Sequence, residues 1–196
     1  MNKLIGVFIE PRKLKQVYFN IDNFFEVLPT TILYFFCGKG LKYHYEFKFK
    51  KKFKNLKIIE LKVNNFNFAS YSDFMKSHSF WDNFKSDAEY CLTIQTDGCL
   101  CKNSLYNIQD FFKYDYVGGY GIPDGYYWSH THHLHNSDAY QCFNGGFSLR
   151  NIAISRKVLD FFPPKPTTKS IFDPNEPMQT YPEDLYYTCG MLKLRM

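Results

Sequence analysis

Three short stretches hold side chains that could do chemistry together. In "YCLTIQTDGCLC", residues 90 to 101, an apolar run stops abruptly at Thr96, Asp97 and Gly98. Mg2+ and Mn2+ prefer oxygen ligands and often use one or two protein carboxylates, with phosphate and water completing the shell. An aspartate at a strand tip suits that role, and a glycine after it lets backbone and ligand approach closely. An aspartate that only caps the next turn leaves the same trace. In "CFNGGFSLR", residues 142 to 150, Asn144 supplies an amide, and Gly145 and Gly146 leave room for a sugar against the main chain. An ordinary glycine hairpin would look alike. In "YPEDLYY", Glu183 and Asp184 stand at a helix start behind a proline. A carboxylate there can act as a base toward a sugar hydroxyl or stabilise positive charge at an anomeric carbon. The helix dipole also favours acids at that position without any catalytic role.

The elements that must position these groups follow from periodicity. "LIGVFIEP", residues 4 to 11, is a short strand stopped by Pro11, with Glu10 and Arg12 at its tip. Leu14, Val17, Ile21, Phe24 and Leu28 share one helical face, and Pro29 ends that helix. "TILYFFCGKG" is a second strand closed at Gly38, and "LKIIELKV", residues 56 to 63, a third. "SYSDFMKSHSFWDNF" opens with capping residues and predicts one or two short helices, followed by the strand that ends at Asp97. Alternating strands and helices predict an α/β layer fold with a mainly parallel central sheet. Ligands collect at the carboxyl ends of strands in such sheets. Residues 114 to 146, rich in Gly, Tyr, His and Asn, predict long loops around a site. "SLRNIAISRKVLDFF" predicts a strand then a helix, "PPKPTTKSIFDPNEP" a Pro-rich loop, and "PEDLYYTCGMLKL" a helix with acids in its first turn.

Composition narrows the class. At 196 residues and 45% hydrophobic, the chain can bury one substantial core. The net charge of +5 is concentrated in "FKFKKKFKN", residues 47 to 55, which suits a polyanionic partner or a merely solvated face. Phe47 and Phe49 alternate with lysines there, which predicts a half-buried edge strand with lysines outward. The six cysteines show no paired CxxC spacing and predict free, buried thiols in a reducing compartment. "MNKLIGVFIEPRK" does not fit a signal peptide, and no apolar run reaches the ~20 residues that span a bilayer, so a cytoplasmic protein without a membrane span is expected. His130, His132, His133 and His135 lack the spacing of a common zinc motif, and a loop over an acceptor cleft is the preferred reading.

The order "QTDG", "NGGFSLRN", "PEDLYY" resembles the GT-A class of nucleotide-sugar glycosyltransferases. More closely, "VFIEPRKL", "LYFFCGKG", "IQTDGCLCKN" and "NGGFSLR" resemble the small capsid-glycan glycosyltransferase domains of large DNA viruses of algae and amoebae, chloroviruses among them, and related bacterial proteins. The resemblance covers nearly the whole chain. It implies one GT-A domain over residues 1–196, with a nucleotide-binding half (1–101) and an acceptor and catalytic half (102–196). It also implies a UDP-sugar donor (a hexose, or a deoxyhexose such as rhamnose), Mn2+ or Mg2+, and a glycan or glycoprotein acceptor, of a viral capsid protein, in the host cytoplasm if the chain is viral. Under it Asp97 matches the metal-binding last Asp of the DxD signature, whereas the first position is Gln95. Glu10 and Arg12 are expected to meet the uridine, with Gly38, Gln95 and Thr96 beside them. Asn144, Gly145 and Gly146 match a donor or acceptor loop, and Glu183 and Asp184 the acidic pair near the reacting sugar. Stereochemistry is not readable from the residues, and the resemblance alone leans toward retention. Two rivals remain: a non-catalytic basic module for nucleic acid or an acidic surface, and a catalytically idle sugar-binding relative, because Gln95 removes one charge from the signature. Nucleic acid is not the expected partner of the preferred reading.

Overall fold

The structure is a computed structural model that describes residues 2–84, 88–120, 143–168 and 177–195. Six strands, β1 (Asn2–Glu10), β2 (Ile32–Cys37), β3 (Leu56–Glu60), β4 (Ala88–Ile94), β5 (Tyr116–Tyr120) and β6 (Phe143–Asn151), form one sheet in the order β3-β2-β1-β4-β6-β5. β1 to β4 pair in parallel, and β6 runs antiparallel to both β4 and β5. The expected α/β fold with a mostly parallel sheet flanked by helices is therefore what the chain adopts. The helices are α1 (Gln16–Val27), α2 (Lys42–Phe49), α3 (Phe68–Met75), α4 (His78–Asp82), α5 (Ile152–Phe161) and α6 (Glu183–Arg195).

The period-two alternation of β1 divides its side chains between two cores. Ile5, Val7 and Ile9 face the core made with α3 to α6, whose largest members include Trp81, Phe80, Tyr186 and Tyr187. Leu4 and Phe8 face the other, built with Val17, Ile21 and Phe24 of α1 and Tyr45 and Phe49 of α2. Gly6 is what lets α1 settle on the sheet: a Cβ there would lie 2.4 Å from the Phe24 ring. On the α3–α6 side, buried Lys76 acts as a clasp. Its ammonium donates to Thr167 Oγ1 and to the Tyr181 carbonyl, both at 2.8 Å, and to the carbonyls of Lys165 and Gln179 at 3.1 and 3.2 Å. It thus straps the segment leading into α6 against the end of α3.

Two sequence expectations are corrected. Residues 47 to 55 are not an edge strand, because α2 runs through Phe49 and a turn follows. Leu41, Tyr45, Phe49 and Phe53 repeat every four residues along the buried side, and Phe25 stacks on Phe53. Three alternating residues were too few to outweigh that helical spacing. The 114–146 stretch is not all loop either, since Tyr116–Tyr120 is a strand despite its two glycines, held by β6. A register irregularity falls between Gly118 and Gly119. The histidine run and Cys142 lie outside the described residues. Of the other cysteines, Cys37, Cys91 and Cys189 are buried and free, as expected, but Cys99 and Cys101 are exposed. No helix among the described residues is long and apolar enough to cross a membrane.

Candidate functional site

Parallel neighbours β1 and β4 end side by side, and their chain continuations line a cavity of about 340 Å3. Glu10 and Arg12 form one wall, Gln95, Thr96 and Asp97 a second, and Asn65 to Phe68 with Tyr71 a third. The site thus sits at the carboxyl ends of the parallel strands, where open α/β sheets gather ligands.

The first wall is a braced arginine. Arg12 Nε and Nη2 each donate to one Glu10 carboxylate oxygen at 2.8 Å, and the Arg12 backbone N–H adds a third bond at 2.9 Å. The Glu10 side chain is 5% exposed and the Arg12 side chain 50%. Glu10 is therefore spent on holding Arg12, and Arg12 is the group presented to a ligand, with its planar donors already oriented. Gly38 does not line the cavity. A Cβ there would lie 2.0 Å from the Pro11 carbonyl oxygen, so its role is to let the Pro11–Arg12 segment cross the tip of β2.

The second wall is a turn held from behind. The Gly98 N–H donates to the Gln95 carbonyl at 3.1 Å, which closes the turn that carries Asp97. Asn20, buried on α1, donates through its amide to the Gly98 carbonyl at 2.6 Å. One turn on, Asn23 bonds both the N–H and the carbonyl of Leu100, at 2.7 and 3.0 Å, and Glu26 pairs with Lys102 at 2.7 Å. Asn20, Asn23 and Glu26 recur every three residues down one flank of α1 and fasten the loop after β4. Asp97 itself is exposed and makes no hydrogen bond or ion pair among the described residues. It is a carboxylate on a fixed turn, facing an open cavity, with its oxygens uncommitted.

The third wall went unnoticed in the sequence. Asn67 caps α3 by accepting from the Ser70 N–H at 2.8 Å, while Ser70 Oγ accepts from the Asn67 N–H at 3.0 Å. The "NFAS" spacing of that capping box was the available signal. Phe66 stacks on Phe74 of α3. Tyr71 separates the cavity from a second, buried polar cluster. Its hydroxyl is buried beside the Gln95 side chain, and burial followed by the charge of Glu183 pushes its pKa up.

That cluster explains the two glycines of β6. Glu183 and Arg150 form an ion pair at 2.6 Å, with side chains 6% and 0% exposed. Arg150 also donates to Ser148 Oγ at 3.0 Å and lies against the rings of Tyr116 and Tyr187. A Cβ on Gly145 would stand 2.2 Å from Glu183 Oε1, and one on Gly146 would stand 2.5 Å from Gln95 Oε1. The space expected for a sugar is taken by these side chains, and the segment is strand rather than loop. Asn144 turns back on its own strand and accepts from the Gly146 N–H at 2.8 Å. None of Asn144, Gly145 and Gly146 lines the cavity, although Gly146 is packed against the cavity residue Gln95.

The two carboxylates at the head of α6 therefore differ. Glu183 is locked to Arg150. Asp184 is only partly buried, and its carboxyl is pushed up to about 6, first by burial and then by the neighbouring Glu183 charge. The Leu185 N–H, at 2.8 Å, and the Gly145 N–H offset part of that rise. Asp184 is thereby able to exchange a proton near neutral pH.

A family model described as "Protein of unknown function (DUF5672)" matches residues 55–196, well over half of the chain. The chain belongs to that family. No curated protein matches it. The DUF5672 match begins at β3 and takes in Gln95 to Asp97, Asn144 to Gly146, Glu183 and Asp184, while Glu10, Arg12 and Gly38 precede it. Among the described residues, no three His, Cys, Asp or Glu side chains gather as a ready-made metal cage. A cation at Asp97 would need a second source of oxygen ligands, and a diphosphate is such a source. The uncommitted carboxylate fits a hard divalent ion on those terms.

Proposed function

We propose that this DUF5672 protein is a metal-dependent glycosyltransferase that moves a sugar, a hexose or a deoxyhexose, from a UDP-sugar to a glycan acceptor. The observation that carries the reading is the uncommitted Asp97, sharing a cavity with the braced Arg12 at the ends of two parallel strands. Arg12 suits a phosphate or the uracil edge, and Asn65 and Phe66 suit the nucleoside. Asp97 would hold the Mn2+ or Mg2+. The ion, when bound, would neutralise charge on the departing diphosphate. Gln95, wedged against Gly146, ties the metal-side turn to β6, and Glu183 with Arg150 fixes the start of α6. Asp184 does not line the cavity; to take the acceptor proton or stabilise positive charge at the anomeric carbon it requires the bound sugar to reach past Tyr71 to the head of α6. A capsid glycan as acceptor rests on the sequence resemblance alone.

Gln95 favours a second reading, an idle relative that binds UDP-sugar without transfer. UDP-sugar hydrolysis and UDP binding, with and without Mn2+, for wild type and Asp97→Ala, test both. Metal-dependent turnover lost in the variant supports the enzyme. Metal-dependent binding without turnover supports the idle relative, and no UDP binding under any condition overturns both.

A further inference from the structure

Between residues 39 and 57 lie eight lysines and one glutamate, a net charge of +7. The whole chain carries +5, so the remaining residues sum to −2. All eight lysines are exposed. Most of this segment is α2 and the turn after it, packed beside α1 through Tyr18, whose hydroxyl meets His44 Nε2 at 2.6 Å and whose ring lies against Tyr45 and Phe49. Tyr45 and Phe49 face the core. Tyr43 and Phe47, two residues out of step with them, fall on the opposite side of α2 one turn apart, 80% and 75% exposed. Phe19 of α1, opposite the buried Val17, Ile21 and Phe24, is 61% exposed. The outer side of α2 therefore carries two solvent-facing rings within the most basic part of the chain, whereas Phe19 stands on α1, whose Asp22 pairs with Lys52 at 2.6 Å. Lys13 and Lys48 stand close enough to His44 to act on it electrostatically.

We propose that this face docks on an anionic lipid bilayer surface. Tyr43 and Phe47 enter the headgroup boundary, and Lys48, Lys50 and Lys51 meet the acidic headgroups. Amphipathic surfaces with apolar side chains set among lysines bind in this way, by buried apolar area together with attraction to acidic lipids. Residues 39 to 57 contain no Arg or Gln and a single Asn, Asn55, which disfavours a sequence-specific nucleic acid as occupant. The inference does not depend on the enzymatic reading.

The test is co-sedimentation of the full chain with vesicles of phosphatidylcholine alone and of phosphatidylcholine with about one third phosphatidylserine, at ionic strength of about 0.15 M. Anisotropy with a short single-stranded RNA runs alongside. Wild type is expected to sediment with the acidic vesicles and to bind the RNA more weakly. Tyr43→Ser with Phe47→Ser should weaken vesicle binding by about tenfold. Reversing Lys48, Lys50 and Lys51 to Glu should weaken it by about a hundredfold, at about fivefold or more per lysine. All five side chains are exposed, so circular dichroism melts should match wild type. The proposal is overturned by no sedimentation with acidic vesicles, by an aromatic variant that binds like wild type, or by tighter binding to the RNA than to the vesicles.

Discussion

Replacing Asp184 by Asn tests whether the head of α6 carries a strained carboxylate. The Asp184 carboxyl rises from an ordinary 3.8 to about 6, because burial and then Glu183 disfavour its charge. Each tenfold change in proton affinity is worth about 1.4 kcal/mol, so the rise corresponds to about 3 kcal/mol. The folded value lies above the unfolded one, so the associated stability is fully present below pH 3.8 and is lost as pH rises through about 6. An amide does not titrate and escapes that loss, but it gives up one oxygen that accepts a backbone N–H, at about 1 kcal/mol. Asp184→Asn should therefore be about 2 kcal/mol more stable than wild type at pH 8, or about 4–8 °C in Tm for a chain of this size. The advantage should vanish below about pH 5. Thermal melts of both proteins from pH 4 to pH 8.5 decide the matter. Parallel stability curves, or a variant less stable at pH 8, would refute the reasoning. Under the proposed function the same variant loses transfer activity, the pattern expected where stability is traded for a working group.

Three other outcomes follow from the same geometry. Asn20→Ala should cost about 1–2 kcal/mol in urea unfolding and weaken metal-dependent UDP binding by about tenfold, because the turn under Asp97 loses its bond from α1. Gly38→Ala should destabilise by about 2 kcal/mol or more and weaken UDP binding even with Mn2+ saturating, since the new methyl meets the Pro11 carbonyl and displaces Arg12. Lys76→Met should cost about 2–4 kcal/mol in the same unfolding assay, because the bonds from its ammonium to Thr167 and to the carbonyls of Tyr181, Lys165 and Gln179 are all lost.

Much of the frame was legible from periodicity. The β-branched and aromatic runs at residues 4–11, 31–37 and 88–94 stand out because buried parallel strands are apolar on both faces. The Ser77 cap of α4 lies inside the stretch read as helical, whereas the Asn67 cap of α3 precedes it and was overlooked. α2 was misread because Phe47, the residue that made the alternation, points to solvent, and an exposed aromatic carries no mark of its exposure in sequence. Asp97 stood out as a candidate because an apolar run stops just before it, although β4 itself ends at Ile94 and Asp97 belongs to the turn that follows. Its support by Asn20 and Asn23 was not legible, because those bonds join residues some 75 positions apart and only the packing of α1 on the sheet brings them together. Nor could sequence show that Gly145 makes room for a carboxylate of its own chain, because the Arg150–Glu183 pair forms only once α6 lies over β6.

The central claim is that Asp97 binds a divalent ion only together with a nucleotide's diphosphate. Calorimetric titration of UDP into wild type and Asp97→Asn, each with Mn2+ and with a chelator, tests it most directly. The account predicts tight UDP binding to wild type with Mn2+, and weak binding of equal strength in the other three cases. UDP binding that is indifferent to Mn2+, or that survives the Asp97 substitution unchanged, would contradict it.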